Sequence, residues 1–179
     1  MDLLCLDFMN SDVRDALGSG LRTDRLRDAE WVARFLARWK LGEHNPPARA
    51  SLTMLIELRA AMWSIVSAMV EGNELSDDDL ATIDGALGGP SLFRLLVRDG
   101  GSFRVELEPT KRDWVWVASE IVASLADVLA AHETHRLKLC GNPDCRWVFY
   151  DESKNRTRRW CADSCGNLIK VRRFRKARR

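Results

Sequence analysis

The chain has 179 residues, of which 46% are hydrophobic and 30% are charged, which is typical of one ordinary globular domain with a small second module. Arg, Glu or Asp interrupts its apolar stretches every few positions, so the sequence predicts no membrane-spanning helix. The net charge is +2, and the start of the chain does not resemble a signal peptide, which predicts a protein of the reducing cytoplasm.

The charge is divided unevenly along the chain. Residues 1–135 contain 14 Lys/Arg and 22 Asp/Glu, a net charge of −8, whereas residues 136–179 contain 14 Lys/Arg and 4 Asp/Glu, a net charge of +10. Dense positive charge attracts polyanions through phosphate neutralisation and counterion release. The division predicts an acidic body at 1–135, which senses a ligand or dimerises, and a basic, nucleic-acid-binding module at 136–179.

The first part of the body is predicted from hydrophobic periodicity and from start and stop residues. Residues 2–10 alternate in polarity and predict a short extended segment. Apolar residues then recur at helical spacing between Thr23, a predicted N-cap, and Gly42, which predicts a first helix. A second, longer apolar stripe runs from the Pro46-Pro47 pair to Gly72 and predicts a core helix.

The second part of the body combines a short helix, a hairpin and a long helix. Ser76 and three following aspartates predict a helix N-terminus. Two alternating segments flank Asp99-Gly100-Gly101 and predict a β-hairpin. A fourth helix is predicted from Asp113 to about His135. The predicted class is α+β, with a mainly helical N-terminal domain that contains a β-hairpin.

Four of the five cysteines lie in the last forty residues: Cys140, Cys145, Cys161 and Cys165. Four thiolates that converge match the tetrahedral site of one structural zinc ion and leave no open position for catalysis. A disulfide or redox pair is the alternative, but paired cysteines in a reducing compartment are more often metal ligands. The sequence therefore predicts Zn²⁺ as the cofactor.

The path of the chain between the cysteines predicts a treble-clef-like zinc finger. A glycine follows the first and the last cysteine, where we expect positive φ and bonds from amides to sulfur. Residues 146–150 and 156–160 are predicted to pair as a hairpin, and a basic helix is predicted from about Asp163. So small a module needs zinc to fold.

The segment 140–167 closely resembles the CGNR zinc-finger family in its cysteine spacing, its aromatic residues and its Arg158-Arg159-Trp160-Cys161 run. The opening segment 4–10 is similar to the start of the ABATE domain, which usually precedes this finger in bacterial proteins described as stress-induced transcription regulators. The resemblance implies DNA binding. Leu168 stands where the family motif has arginine, and Arg172 or Arg173 is a candidate to replace that arginine.

The basic residues of the finger are the candidate DNA contacts. A solubilising tail and an anionic membrane surface are the alternatives, and we favour nucleic acid because the loop and the helix together widen one positive face. A zinc-finger adaptor that binds RNA or an acidic protein is the second functional hypothesis. The candidate contacts are Lys154, Arg156, Arg158, Arg159, Lys170, Arg172, Arg173, Arg175 and Lys176.

The body suggests a sensing or assembly role. Asp7 and Asn10 are polar residues in an apolar segment, so they either line a pocket for a small-molecule effector or bond to neighbouring backbone. One finger alone is expected to bind DNA weakly, which predicts a homodimer formed through the body. The sequence shows no catalytic motif, and we expect neither an enzyme nor a membrane partner.

Overall fold

The computed structural model describes residues 2–131 and 134–178 and shows six α-helices and three two-stranded antiparallel sheets in these residues. The predicted α+β class is confirmed. The helices are α1 (Leu4–Met9), α2 (Ala29–Arg38), α3 (Arg49–Glu71), α4 (Asp77–Leu87), α5 (Trp114–Ala130) and α6 (Asp163–Ala177). The strands are β1 (Asp12–Arg14), β2 (Arg22–Asp24), β3 (Leu92–Asp99), β4 (Ser102–Pro109), β5 (Leu137–Leu139) and β6 (Val148–Tyr150), paired in sequence order.

The opening segment is a helix, so the prediction of an extended segment was wrong. Cys5, Phe8 and Met9 are all buried in α1 and follow one another at the spacing of a single helix face. Over so few residues the polarity pattern fits both a strand and a helix. Packing of these side chains against the core selects the helix. Cys5 is fully buried, which raises the pKa of its thiol and agrees with a structural role.

The first long helix begins later than predicted. Thr23 lies in β2, opposite Val13, and Asp28 is the N-cap of α2 because its side chain accepts from the backbone amides of Glu30 and Trp31. The fourth helix ends earlier than predicted, because α5 stops at Ala130 and His135 lies in a separate 3-10 turn, with residues 132–133 outside the described residues. Two other boundary signals are confirmed. The α3 helix ends at Gly72, whose φ of 73° lies in the left-handed region, and Ser76 caps α4.

The α3 helix is the centre of the core. Leu55, Leu58 and Met62 on its inner face are almost completely buried. By length and composition α3 could also cross a membrane, contrary to the expectation from the sequence. A core helix of a soluble protein passes the same test, and 44% of the most apolar window of α3 is buried. This finding is therefore weak support for a membrane span.

The predicted hairpin is confirmed as β3 and β4, but its apolar residues do not share one face. Leu96 pairs with Val105, whereas Phe93 pairs with Glu108. Residues opposite each other in an antiparallel pair point to the same side. The apolar side chains of β3 and β4 therefore lie mostly on opposite sides of the hairpin, and most of them are exposed to solvent.

The zinc-finger segment packs directly against the helical body. Leu137 of β5 and Val148 of β6 are buried in the same core cluster as α1, α3 and α5. The buried Asn10 side chain donates to the Val148 carbonyl at 2.8 Å and accepts from the Val148 amide at 2.9 Å. These contacts position the cysteines relative to the body.

Candidate metal centre and basic surface

The sulfur atoms of Cys140, Cys145, Cys161 and Cys165 converge on one point and lie within 4.8 Å of one another. The Sγ of Cys161 lies 3.7 Å from that of Cys145 and 3.8 Å from that of Cys165. Tetrahedral zinc with bonds of about 2.3 Å places its sulfur ligands about 3.8 Å apart. The spacing fits zinc and is far longer than the ~2.05 Å of a disulfide bond.

The chemistry of the four thiols also favours a cation. Burial raises the pKa of Cys165 to about 11, and the hydrogen bond with Cys145 raises the pKa of Cys161, whereas the same hydrogen bond lowers the pKa of Cys145 to about 5. Of these three thiols only Cys145 ionises readily without a cation, whereas a bound zinc ion deprotonates its ligands. The donor set forms a closed structural site for one zinc ion.

Local structure brings the ligands together in two units. Cys140 and Cys145 lie in the turn between β5 and β6, where the Cys140 amide donates to the Trp147 carbonyl at 2.8 Å. Cys165 lies in the first turn of α6, whose helix dipole stabilises a thiolate. The hairpin predicted between residues 146–150 and 156–160 was wrong, because β6 pairs with β5 instead.

A buried carboxylate organises the loop after β6. Asp151 is fully buried, and its side chain accepts from the Lys138 ammonium at 2.6 Å and from the amides of Ser153 and Arg158 at 3.0 Å each. Burial alone would raise the pKa of Asp151, but these donors outweigh it and hold the pKa well below its usual range. The loop wraps around this carboxylate and does not form a strand.

Replacing Asp151 with asparagine should weaken the finger at neutral pH, because it removes the charge that Lys138 and the two amides surround. A carboxylate whose pKa is lowered by folding stabilises the folded state fully at any pH above its pKa in the unfolded chain, about 3.9. This contribution is lost as the pH falls through the pKa of the folded state. The free energies of unfolding of Asp151→Asn and of the parent, measured with urea, should therefore differ by the same amount from pH 8 to 5. Equal stability, or a difference that changes within this range, would contradict this role, and Glu120→Gln, at an exposed acid within α5, is the control.

The two glycines that follow cysteines, Gly141 and Gly166, do not have positive φ, so that expectation was wrong for both. They are needed because neighbouring atoms come too close for a larger side chain. A Cβ at Gly141 would lie 3.0 Å from the Arg159 carbonyl, and one at Gly166 would lie 3.2 Å from the Trp160 ring. The left-handed conformation occurs instead at Arg146, with φ of 54°. The finger is therefore packed tightly around Trp160.

Two of the nine predicted DNA contacts donate side-chain hydrogen bonds within the protein. Arg158 donates to the backbone carbonyls of Trp160 and Cys161. Arg172 donates to Asp144 at 2.6 Å and to the Leu17 carbonyl at 2.7 Å. Both arginines therefore help to hold the finger together or to hold it on the body.

The other seven predicted contacts are exposed and have no ion pair among the described residues. A groove of about 570 Å³ between the loop and α6 is lined by Arg159, Trp160, Asn167 and Lys170, among others. Arg173 and Lys176 follow Lys170 at three-residue steps along one side of α6. The exposed set is Lys154, Arg156, Arg159, Lys170, Arg173, Arg175 and Lys176.

Asp7 and Asn10 both have partners within the protein. The Asp7 carboxylate accepts from the Trp39 indole at 2.8 Å, and Asn10 binds the backbone of β6. Neither residue lines the described cavities. The hypothesis that they form a ligand pocket gains no support from this arrangement.

The structure brings together a group of arginines that the sequence did not single out. Arg14, Arg22, Arg59 and Arg146 line one cavity between the body and the finger. They are far apart in the chain and share no motif, so only the tertiary fold shows that they are neighbours.

Comparison with known proteins agrees with both parts of this architecture. A family model described as "Putative stress-induced transcription regulator" (ABATE) matches residues 2–132, and the CGNR zinc finger matches residues 136–179. A search of curated proteins found no match. Since the first match covers more than half of the chain, and since the four sulfurs have the spacing of a zinc site, the chain belongs to the ABATE family and carries a CGNR zinc finger.

Proposed function

We propose that this protein is a bacterial, cytoplasmic transcription regulator that binds duplex DNA through its zinc finger and acts by binding, without catalysis. The observation that carries the proposal is the set of exposed cations on a metal-held surface. Zinc fixes the first turn of α6, and Lys170, Arg173, Arg175 and Lys176 along α6 lack carboxylate partners among the described residues, whereas Arg172 pairs with Asp144. Unpaired cations on a rigid element are suited to phosphate binding.

The two positive elements would have different roles on DNA. Arg159 and Lys170 line the groove at the start of α6 and would contact phosphates, which fix the orientation of the finger. The helix itself is narrow enough for a major groove, where arginines read guanine edges. Arg175 is exposed and is our candidate for that contact.

The charge of the body limits the DNA-binding surface to the finger. Residues 1–135 carry a net charge of −8 and would be repelled by a polyanion. A single small finger buries little surface on a duplex. We therefore propose that two chains act together as a homodimer, since linkage of two fingers raises their effective concentration on DNA.

Replacing Lys170, Arg173 and Lys176 with alanine should weaken duplex binding and flatten its salt dependence. About five phosphate contacts give a slope of log affinity against log salt near −4.5, at roughly 0.9 per phosphate, and loss of three contacts should reduce its magnitude by about 2.7. Fluorescence anisotropy with a labelled random-sequence duplex measures both quantities.

The matched control replaces Arg34, Arg49 and Lys111, three exposed cations of the acidic body, with alanine and should leave the slope unchanged. Millimolar affinity for the duplex at low salt, or equal slopes for the two triple variants, would contradict the proposal. Tight binding of single-stranded RNA with weak binding of the duplex would favour the adaptor hypothesis instead.

A further inference from the structure

A cavity of about 240 Å³ lies where β1, β2, α3 and the zinc finger meet. Its apolar wall includes Ile56 and Trp63, and its polar lining is mainly cationic. The charged residues of the lining are Asp12, Arg14, Arg22, Arg59 and Arg146.

Two of the four arginines have carboxylate partners. Arg22 pairs with Asp12 at 2.5 Å. Arg59 is only 4% exposed and makes two parallel bonds to Asp24, at 2.7 and 2.8 Å. These two pairs are electrically neutral.

The other two arginines have no ion pair among the described residues. The Nε atom of Arg14 is buried and has no hydrogen-bond partner in the part of the chain that the structure describes. The guanidinium of Arg146 lies 3.6 Å from the centre of the Trp63 ring. With Asp24 included, four arginines and two aspartates leave a net charge of +2 in and around this cavity.

We propose that this arginine cavity binds a small dianion that carries a phosphate group or two carboxylates. A buried donor without a partner is costly, and a planar guanidinium forms paired bonds to carboxylate and phosphate oxygens. A ligand with two negative charges would neutralise the excess. The ligand site itself does not depend on DNA binding, whereas its use as an effector site rests on the proposed function.

The size and depth of the cavity favour a small ligand over a nucleic acid. The volume is below the range of about 300–1,000 Å³ that is typical of drug-sized ligands. Arg59 is buried within the protein and cannot reach the backbone of a duplex.

The site also connects the body to the metal centre. Arg146 directly follows the zinc ligand Cys145, and its carbonyl accepts from the Trp63 indole at 3.3 Å. Arg14 belongs to β1 of the body. A dianion held by Arg14 and Arg146 would therefore tie the zinc finger to the body, and its binding should stabilise that contact.

Calorimetric titration of the zinc-loaded protein with inorganic phosphate and with malonate, at constant ionic strength in chloride, tests the site without DNA. We expect saturable binding of at least one of these dianions and a rise in the thermal midpoint. Arg14→Gln and Arg146→Gln should each weaken binding by about tenfold or more, while Arg34→Gln, at an exposed arginine, should not change it. Circular dichroism shows whether each variant is folded.

Two results would overturn the proposal. The first is that neither dianion binds saturably up to 10 mM, an order-of-magnitude ceiling for such a site. The second is that all folded variants bind the dianion with equal affinity. Because the titration contains no DNA, a protein that fails to bind DNA can still confirm the dianion site.

A separate observation concerns the β3–β4 hairpin. Leu96, Phe103, Val105 and Leu107 lie on one of its sides and are each between 61% and 66% exposed. An isolated two-stranded hairpin is marginally stable in water, and its outer edges can pair with another strand. This hairpin therefore has an apolar side, and no strand among the described residues pairs with the outer edge of β4.

The sequence of β4 is complementary to itself in antiparallel register about Val105. In that register Arg104 lies opposite the partner subunit's Glu106, and Phe103 lies opposite the partner subunit's Leu107. The two-fold axis repeats each of these pairs. Opposite charges and apolar pairs across strands each stabilise a sheet.

We infer that two copies of this chain dimerise through their β4 edges to form a four-stranded sheet. Arg104→Glu should convert the dimer to a monomer in analytical ultracentrifugation, because it places glutamates opposite each other twice. The double exchange Arg104→Glu with Glu106→Arg should restore the dimer, and Arg94→Glu on β3 should retain it. A parent protein that is monomeric at 100 μM, roughly a weak-dimer limit, or a double exchange that remains monomeric while folded, would overturn this inference.

Discussion

Replacement of Cys145 with serine should unfold the finger, as should removal of zinc with a chelator. The finger has a very small apolar core of its own, consisting of the cysteines and a few neighbours such as Trp147 and Trp160. Zinc binding supplies about 10 to 16 kcal/mol of apparent folding free energy in zinc-finger peptides at neutral pH. Loss of one thiolate should release the ion and abolish the helical signal of α6.

Elemental analysis together with hydrogen exchange of residues 136–178 measures both effects. The parent should contain one zinc ion per chain, and Cys145→Ser should contain almost none and exchange rapidly throughout the finger. Cys5→Ala is the matched control, because Cys5 lies in α1 and outside the sulfur cluster. A serine variant that retains equimolar zinc and slow exchange would contradict the proposed ligand set.

Replacement of Asp24 with asparagine should destabilise the body strongly, because Arg59 would remain charged and buried. Removal of one partner of a buried ion pair costs about 3–5 kcal/mol. Burial alone would raise the pKa of Asp24, but Arg59 outweighs it, so the pKa is lowered. The contribution of this pair is therefore complete at pH 7 and is lost as the pH falls below about 3.9.

Urea unfolding at pH 7 measures this loss. Glu30→Gln should change the stability by less than about 1 kcal/mol, because the Glu30–Arg34 pair is exposed. The double variant Asp24→Leu with Arg59→Met should regain most of the loss, since apolar residues can replace a buried pair. A loss below about 1 kcal/mol in Asp24→Asn would show that the pair does not hold β2 to α3.

The parts of the fold that could be predicted from the sequence are those set by local chemistry. Ser76 accepts a backbone hydrogen bond at the start of α4, and Gly72 adopts the left-handed conformation at the end of α3. The Gly100-Gly101 pair makes the turn between β3 and β4. Each signal lies within a few residues of the structure that it specifies.

The metal centre could be predicted for a similar reason. Four cysteines in two close pairs have few other uses in a reducing compartment, and they do converge. The path between them was harder to predict. The buried Asp151 carboxylate draws Lys138 and the following loop around itself, and only the fold shows that this loop does not pair with β6.

Features that depend on tertiary packing could not be predicted. The polarity pattern of α1 fits both a strand and a helix, and the core selects the helix through Phe8 and Met9. The arginine cavity combines side chains from position 14 to position 146. The structural use of Arg158 and Arg172 likewise depends on carbonyls and carboxylates that lie outside any sequence motif.

The central claim is that one zinc ion shapes a cationic segment into a DNA-binding surface, and duplex binding by the zinc-loaded and chelated full chain tests it most directly. We predict that the zinc-loaded protein binds with a salt slope near −4.5, for about five phosphates, and that chelation weakens binding at least about tenfold, with recovery when zinc is restored. Equal affinity of the two forms, or zinc-loaded binding that does not change with salt, would contradict it.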